Sequence, residues 1–397
     1  MDKMKLAKRI DRIQPSATLA MTSKAAELRA QGKDVLNMSV GEPDFNTPSN
    51  IINAAIDAMN NGHTRYTPGG GTKELKQAIQ KKLQRDNNIH YELNEIIVSS
   101  GGKHSLYNAC QALFESGDEV IIFTPYWVSF PDFVSVTGAT PVFVKTDADN
   151  QYQPVFDDLE AKITKNTKGI IINSPSNPTG GVWSDDAIQK TVDIARSHSL
   201  WVFSDECYEQ LTYSQKYNST YDLCRDYDRI LTFQSCSKTY AMTGWRIGYT
   251  CGDSTVISAM SKLQGQSTSC PNSIAQYAAM EALTGNQSFV ADMKKAFHIR
   301  RDLIVDRLNS MEGVTCDIPG GAFYVFPSFK EIINRNVSGN NIKSALDLCM
   351  MLLEKKLVVS VSGESFGANN NIRFSYATSE KVINDAMDRL EALLNEI

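Results

Sequence analysis

Short apolar runs, many of them β-branched, alternate with stretches of helical periodicity through the middle of this chain, and that alternation limits the fold more than any other feature. The runs fall at 96–98, 120–123, 142–144, 169–173, 200–203, 230–233 and 247–250. Several are apolar along their whole length, the pattern of strands covered on both faces. Between them, 105–115 places Leu106, Ala109, Cys110, Leu113 and Phe114 on one helical face, and 184–198 is a second such stretch. The succession predicts a mostly parallel α/β sheet with right-handed crossovers. Ligands in such sheets bind beyond the carboxyl ends of the strands.

Past Ser288 the pattern changes. A long helix is expected at 290–308, then a Gly320-Gly321 turn, a loop at 331–341, a helix near 342–355, short strands at 358–361 and 372–376, and a closing helix from Ser379. This predicts a smaller α+β domain formed by 1–46 and 289–397, beside a large domain at 47–288. A chain of 397 residues has room for both.

Composition narrows the function. The formal charge is −5 and no basic stripe occurs, which argues against nucleic acid as a partner. The apolar runs are far shorter than the roughly 20 residues a bilayer span needs, so no membrane association is expected. Residues 1–14 mix Lys, Arg and Asp and lack the apolar core of a secretory signal. The eight cysteines form no Cys-x-x-Cys pair and fit a reducing cytoplasm. The five histidines lack ligand spacing, so a metal is not expected.

The residues suited to chemistry mostly follow the expected strands. Lys238 lies between Ser235, Ser237 and Arg246, just past the run at 230–233. It could be a solvated loop lysine. The hydroxyls and guanidinium around it also suit an anionic cofactor, and a lysine in a dry, cationic pocket loses its proton more readily and can form a Schiff base. Asp205, after 200–203, could cap a helix or keep a pyridine nitrogen protonated, with Tyr208 a donor to the same ring's 3-oxygen. Asn177, in Asn177-Pro178-Thr179-Gly180, fits a plain turn or an amide aimed at that oxygen. Gly101-Gly102-Lys103 leads into a helix N-terminus, a place for phosphate. Lys103 there faces the positive end of the helix dipole, which hints at an anionic partner. Trp127 could be core or could stack on a ligand. Arg373, inside a short apolar strand, needs a partner if buried; a structural acid or a substrate carboxylate would serve.

In order along the chain, Asn177-Pro178-Thr179-Gly180, Asp205-x-x-Tyr208, Ser235-x-Ser237-Lys238, Arg246 and Arg373 resemble the class I, fold-type I aminotransferases that use pyridoxal 5′-phosphate (PLP). Val40-Gly41-Glu42-Pro43-Asp44-Phe45 and Tyr66-Thr67-Pro68-Gly69-Gly70 extend the resemblance over essentially the whole chain. It implies a PLP-dependent transferase-like fold, with Lys238 as the Schiff-base lysine and general base. Asp205 would pair with the ring nitrogen, Asn177 and Tyr208 with the 3-oxygen, and Trp127 would stack on the ring. Gly102, Lys103, Ser235, Ser237 and Arg246 would hold the phosphate, joined by Tyr66 from a neighbouring subunit in a homodimer with shared active sites. Arg373 would bind the substrate α-carboxylate, with Gly41 against it.

Ser16-Ala17-Thr18, Tyr126-Trp127-Val128-Ser129 and the run from Ala241 to Tyr249 look most like the bacterial-type aspartate aminotransferases of the second subgroup. There a lysine at the place of Lys103 takes the distal carboxylate of the substrate, while Trp127 and Asn177 also line the substrate site. The resemblance therefore implies amino acids and 2-oxo acids as partners, with aspartate and 2-oxoglutarate converted to oxaloacetate and glutamate. The alternative is a related class I aminotransferase acting on prephenate, aromatic amino acids or alanine. Gln14 stands where some prephenate-using relatives carry a lysine, which weakens the case for prephenate.

Overall fold

The computed structural model describes residues 6–13, 17–214, 216–333, 336–337 and 340–396. Gln14 and Ser16 lie outside the described residues. After a two-residue strand, β1 (Leu36–Asn37), come the eight strands of the main sheet. These are β2 (Ile96–Ser99), β3 (Glu119–Thr124), β4 (Thr140–Asp147), β5 (Gln153–Pro154), β6 (Thr167–Asn173), β7 (Trp201–Asp205), β8 (Ile230–Ser235) and β9 (Gly248–Cys251). Their order across the sheet is β2-β9-β8-β7-β6-β3-β4-β5. The run from β8 to β4 is parallel, while β9 runs antiparallel to both β2 and β8, and β5 antiparallel to β4.

Period-two alternation explains why the central strands read as continuous apolar runs. On β3, Val120 and Ile122 face one layer while Ile121 faces the other; on β6, Ile171 opposes Ile170 and Ile172. Leu106, Ala109 and Cys110 of the helix Gly102–Leu113 cover the first face. Ala187, Ile188, Val192 and Ala195 of the helix Asp185–Ser197 cover the second. From β3 the chain moves outward to β4, and from β6 it moves the other way to β7 and β8. The strand order therefore reverses between β3 and β6, and a crevice opens there beyond the strand ends.

The remaining strands are β10 (Tyr324–Val325), β11 (Asn336–Val337), β12 (Asn340–Asn341), β13 (Val358–Val359), β14 (Val361–Ser362) and β15 (Ile372–Ser375). An antiparallel sheet in the order β10-β15-β14 shares a core with the helices Ser288–Asn309, Ala345–Lys356 and Glu380–Leu394, through Phe297, Ile304, Phe323, Leu348, Phe374 and Leu390. Parallel pairing of β1 with β13 ties the N-terminal stretch to this C-terminal unit.

Three local expectations change. The run at 142–144 belongs to the longer β4, whose Phe143 is 38% exposed, because only the two-residue β5 covers that edge. The expected strand at 358–361 is two strands split at Ser360, one pairing with β1 and the other with β15. Part of the expected loop at 331–341 is a small antiparallel pair, β11 with β12.

Candidate active site

Three of the parallel strands end on polar residues, Asn173 on β6, Asp205 on β7 and Ser235 on β8, and these ends meet at one cavity of about 770 Å³. Gly41, Gly102, Lys103, Trp127, Asn177, Asp205, Tyr208, Ser235, Ser237, Lys238, Arg246 and Arg373 all line it. Tyr66 does not; its side chain is 91% exposed.

Lys238 lies on the short helix Cys236–Thr239, whose first turn is capped by Ser235: its Oγ accepts the Ser237 N–H at 3.1 Å. The Lys238 ammonium donates to the Gly41 carbonyl. Burial pulls its pKa down, Arg246 and Arg373 add to that, and Cys207 and Glu42 oppose it. The shift eases loss of the proton, and the neutral amine is the form that can attack a carbonyl.

Asp205 is buried, and its Oδ1 accepts the Cys207 N–H at 3.2 Å, so it does hold a local turn. Burial pushes its carboxyl up to about 7, with Glu206 adding and the Cys207 N–H opposing. Such an acid ionises readily only beside a cation.

Arg373 on β15 is buried, and no acid among the described residues pairs with it. One Nη donates to Asn177 Oδ1 at 2.8 Å and the other to the Ser39 carbonyl at 2.7 Å. Its guanidinium lies 4.6 Å from the Tyr324 ring centroid and 5.0 Å from that of Phe366. Its Nε is buried with no hydrogen-bond partner among the described residues. A buried guanidinium with an unpaired N–H at a cavity wall is suited to a carboxylate. Asn177 is in turn held by its own N–H, which donates to Asn173 Oδ1 at 2.9 Å.

At the cavity's other side the helix Gly102–Leu113 begins. Gly101 has φ +89°, and a Cβ there would run into the Arg246 guanidinium. Arg246 itself has φ +59°, and its guanidinium donates to the Thr243 carbonyl at 2.7 Å. A cation is thus set against the positive end of a helix, with the Ser235 and Ser237 hydroxyls 2.8 Å apart nearby; the group this arrangement suits is a phosphate.

Lys103 has its ammonium 4.9 Å over the Trp127 ring. Burial lowers its pKa, Arg246 lowers it further, and Asp132 opposes. Trp127 also packs edge-on against Phe130 and Phe133, so it belongs to the core while lining the cavity.

Sequence reasoning missed Tyr324, fully buried on β10 with its hydroxyl 2.9 Å from that of Tyr208. It also missed a buried layer behind Asp205. There Lys82 Nζ donates to Glu209 at 2.5 Å, Gln234 at 2.6 Å and Asn87 at 2.8 Å, and Gln234 Nε2 donates to Glu206 at 3.0 Å. For Tyr324 the available signal was the Gly320-Gly321 turn that brings the chain back to the cavity. Among the described residues no group of three or more His, Cys, Asp or Glu is placed to hold a metal ion, and no helix is long and apolar enough to cross a membrane.

The sheet, its switch point and this cavity define an α/β enzyme of the PLP-dependent transferase-like fold. Residues 33–390 match the family described as Aminotransferase class I and II, and the chain belongs to that family: it is an aminotransferase. A probable aspartate/prephenate aminotransferase of Rhizobium leguminosarum bv. phaseoli is 46% identical over 390 residues, covering 97% of this chain and 98% of that one. An aspartate aminotransferase of Geobacillus stearothermophilus is 44% identical, covering 98% and 99%. Among solved structures, the aspartate aminotransferase of Rhizobium meliloti superposes with a TM-score of 0.96 at 40% identity, covering 99% of this chain and 100% of that one. The Thermus thermophilus aspartate aminotransferase with maleate gives 0.93 at 37% identity, covering 98% and 100%.

Proposed function

We propose that this aminotransferase holds PLP at Lys238 and transfers the amino group of aspartate to 2-oxoglutarate, giving oxaloacetate and glutamate. The observation that carries the reading is a single cavity lined by Lys238, by the buried Arg373 with its unpaired Nε, and by Lys103. Two carboxylate-seeking cations around one reactive amine fit a dicarboxylic amino acid. The names of the full-length relatives, and the dicarboxylate maleate in one of them, support it.

Arg246, Ser235, Ser237 and Gly102, with the backbone of Lys103, would hold the cofactor's phosphate. Asp205 would face its ring nitrogen, Tyr208 and Asn177 its 3-oxygen, and Trp127 its face. When bound, PLP supplies an electron-withdrawing ring that accepts the electron pair left at the substrate Cα. Arg373 grips the α-carboxylate through parallel N–H donors and so fixes the orientation of the Cα–H bond. Gly41 leaves room beside it. Lys103 reaches the distal carboxylate, and its flexible stem suits both four- and five-carbon diacids. Lys238, as a neutral amine, would take the proton from the substrate Cα and hold it for return. Asp205, ionised once a cation faces it, keeps that cation protonated throughout.

Tyr66, so exposed on one chain, would complete the phosphate site of a second copy, which makes the working unit a homodimer. The large domain would run from 47 to 288 and the small one from 1 to 46 and 289 to 397, in keeping with the β1–β13 pairing. Eight free cysteines accord with a cytoplasmic setting. Prephenate is a second acceptor to consider, because the 46% identical relative bears it in its name.

The test is a donor–acceptor screen of the PLP-loaded protein with aspartate, glutamate, prephenate, alanine and an aromatic amino acid. Aspartate with 2-oxoglutarate should be the fastest pair. Lys103→Ala should raise KM for aspartate about 10- to 100-fold while barely moving that of an aromatic donor. Equal effects on both donors would remove the acidic assignment.

A further inference from the structure

Tyr208 and Tyr324 meet hydroxyl to hydroxyl in the wall of the cavity, 2.9 Å apart, with their rings edge to face at 5.9 Å. Both are buried, at 5% and 0% exposure. Tyr324 sits on β10 opposite Ser375 of β15, two residues from Arg373, whose guanidinium covers its ring face. Gly41 is fitted to the same hydroxyl: a Cβ at that position would lie 2.8 Å from the Tyr324 oxygen. The backbone is therefore pared back around a phenol to which the proposed chemistry so far gives no task.

A phenol owns one proton. If Tyr208 spent its proton on Tyr324, its oxygen could only accept, and it would have nothing to offer an anionic ring oxygen. We infer that Tyr324 is a positioning residue: its hydroxyl donates to the Tyr208 oxygen, so that the single proton of Tyr208 points at the 3-oxygen of the cofactor. The inference rests on the PLP reading above and adds to it a residue that never touches the ring. Burial raises both phenols, so each keeps its proton and can donate it. A two-link chain also polarises its second bond, strengthening it by roughly 10–30%.

The experiment is a pH titration of the visible absorption of the PLP-loaded protein without substrate, which reads the protonation midpoint of the cofactor–Lys238 linkage. Tyr208→Phe removes the direct donor and should raise that midpoint. Tyr324→Phe keeps the ring under Arg373 and should raise it by less, roughly 0.2–0.5 unit. The double variant should match Tyr208→Phe alone, because Tyr324 acts only through Tyr208. A Tyr324→Phe midpoint equal to that of the wild type, or shifts that add in the double variant, overturns the inference while leaving the PLP reading intact. If Tyr208→Phe itself moves nothing, the assignment of Tyr208 to the 3-oxygen fails, and the role of Tyr324 fails with it.

Discussion

At Asp205, burial and chemical need pull in opposite directions. The side chain is 6% exposed and its carboxyl is raised to about 7, against roughly 3.9 in an unfolded chain. In the cofactor-free protein the folded state therefore keeps a proton that the unfolded state gives up between about pH 4 and 7, and the stability linked to this group falls as pH rises through that window. The thermal midpoint of cofactor-free wild type, relative to Asp205→Asn, should drop by a few degrees from pH 4 to pH 7. Parallel curves for the two proteins would mean that the buried carboxyl is already ionised. Its place in the cavity was legible in the sequence because it ends an apolar run and stands three residues before Tyr208. What the sequence could not give is the raised pKa, which comes mainly from burial in the folded protein, with the adjacent Glu206 adding to it. The same holds for Arg373. Its place in an apolar strand showed that it would need a partner, but only folding brought Asn177, 196 positions away, to its guanidinium.

At the level of elements, the helix Asp185–Ser197 shows how far local signals reach. Ser184 accepts the Ala187 N–H at 3.2 Å, Asp185 and Asp186 occupy the first turn, and the apolar stripe faces the sheet. Ser184→Ala should cost about 1 kcal/mol and lower the thermal midpoint by roughly 1–2 °C, with kcat unchanged. A fall in kcat larger than the loss of folded protein would show that this helix also positions the site. Elements whose identity depends on distant partners were less legible. The split at Ser360 follows from two different neighbours, β1 on one side and β15 on the other. Lys82 ends a helix rich in lysine and reads as solvated, yet it is 2% exposed and paired with Glu209 and Gln234 behind the strand ends. Its spacing from Leu75, Ala78 and Ile79 puts it on the buried face of that helix, but only the packing of separate segments supplies Glu209 and Gln234 as its partners.

For the molecule as a whole, the subunit partnership proposed at Tyr66 gives a clean test. Lys238→Ala and Tyr66→Ala chains should each have little activity as homodimers. Mixed and allowed to exchange, they should form hybrids in which one site combines an intact Lys238 with the partner's intact Tyr66. Activity should then rise several-fold above the sum of the parents. Activity that stays at that sum after exchange would place Tyr66 in its own chain's site or outside catalysis. By itself the sequence determined the α/β class, the polar strand ends and twelve of the residues that line the cavity. Those features are written in local patterns: apolar runs, caps, glycine turns and short motifs in a fixed order. The tertiary structure alone decided which side chains lose water together. It placed Lys103 over Trp127, left Arg373 buried with an unpaired N–H, raised Asp205, and set Tyr324 against Tyr208. Those properties arise from desolvation and through-space charge, which depend on how separate segments pack rather than on the order of residues.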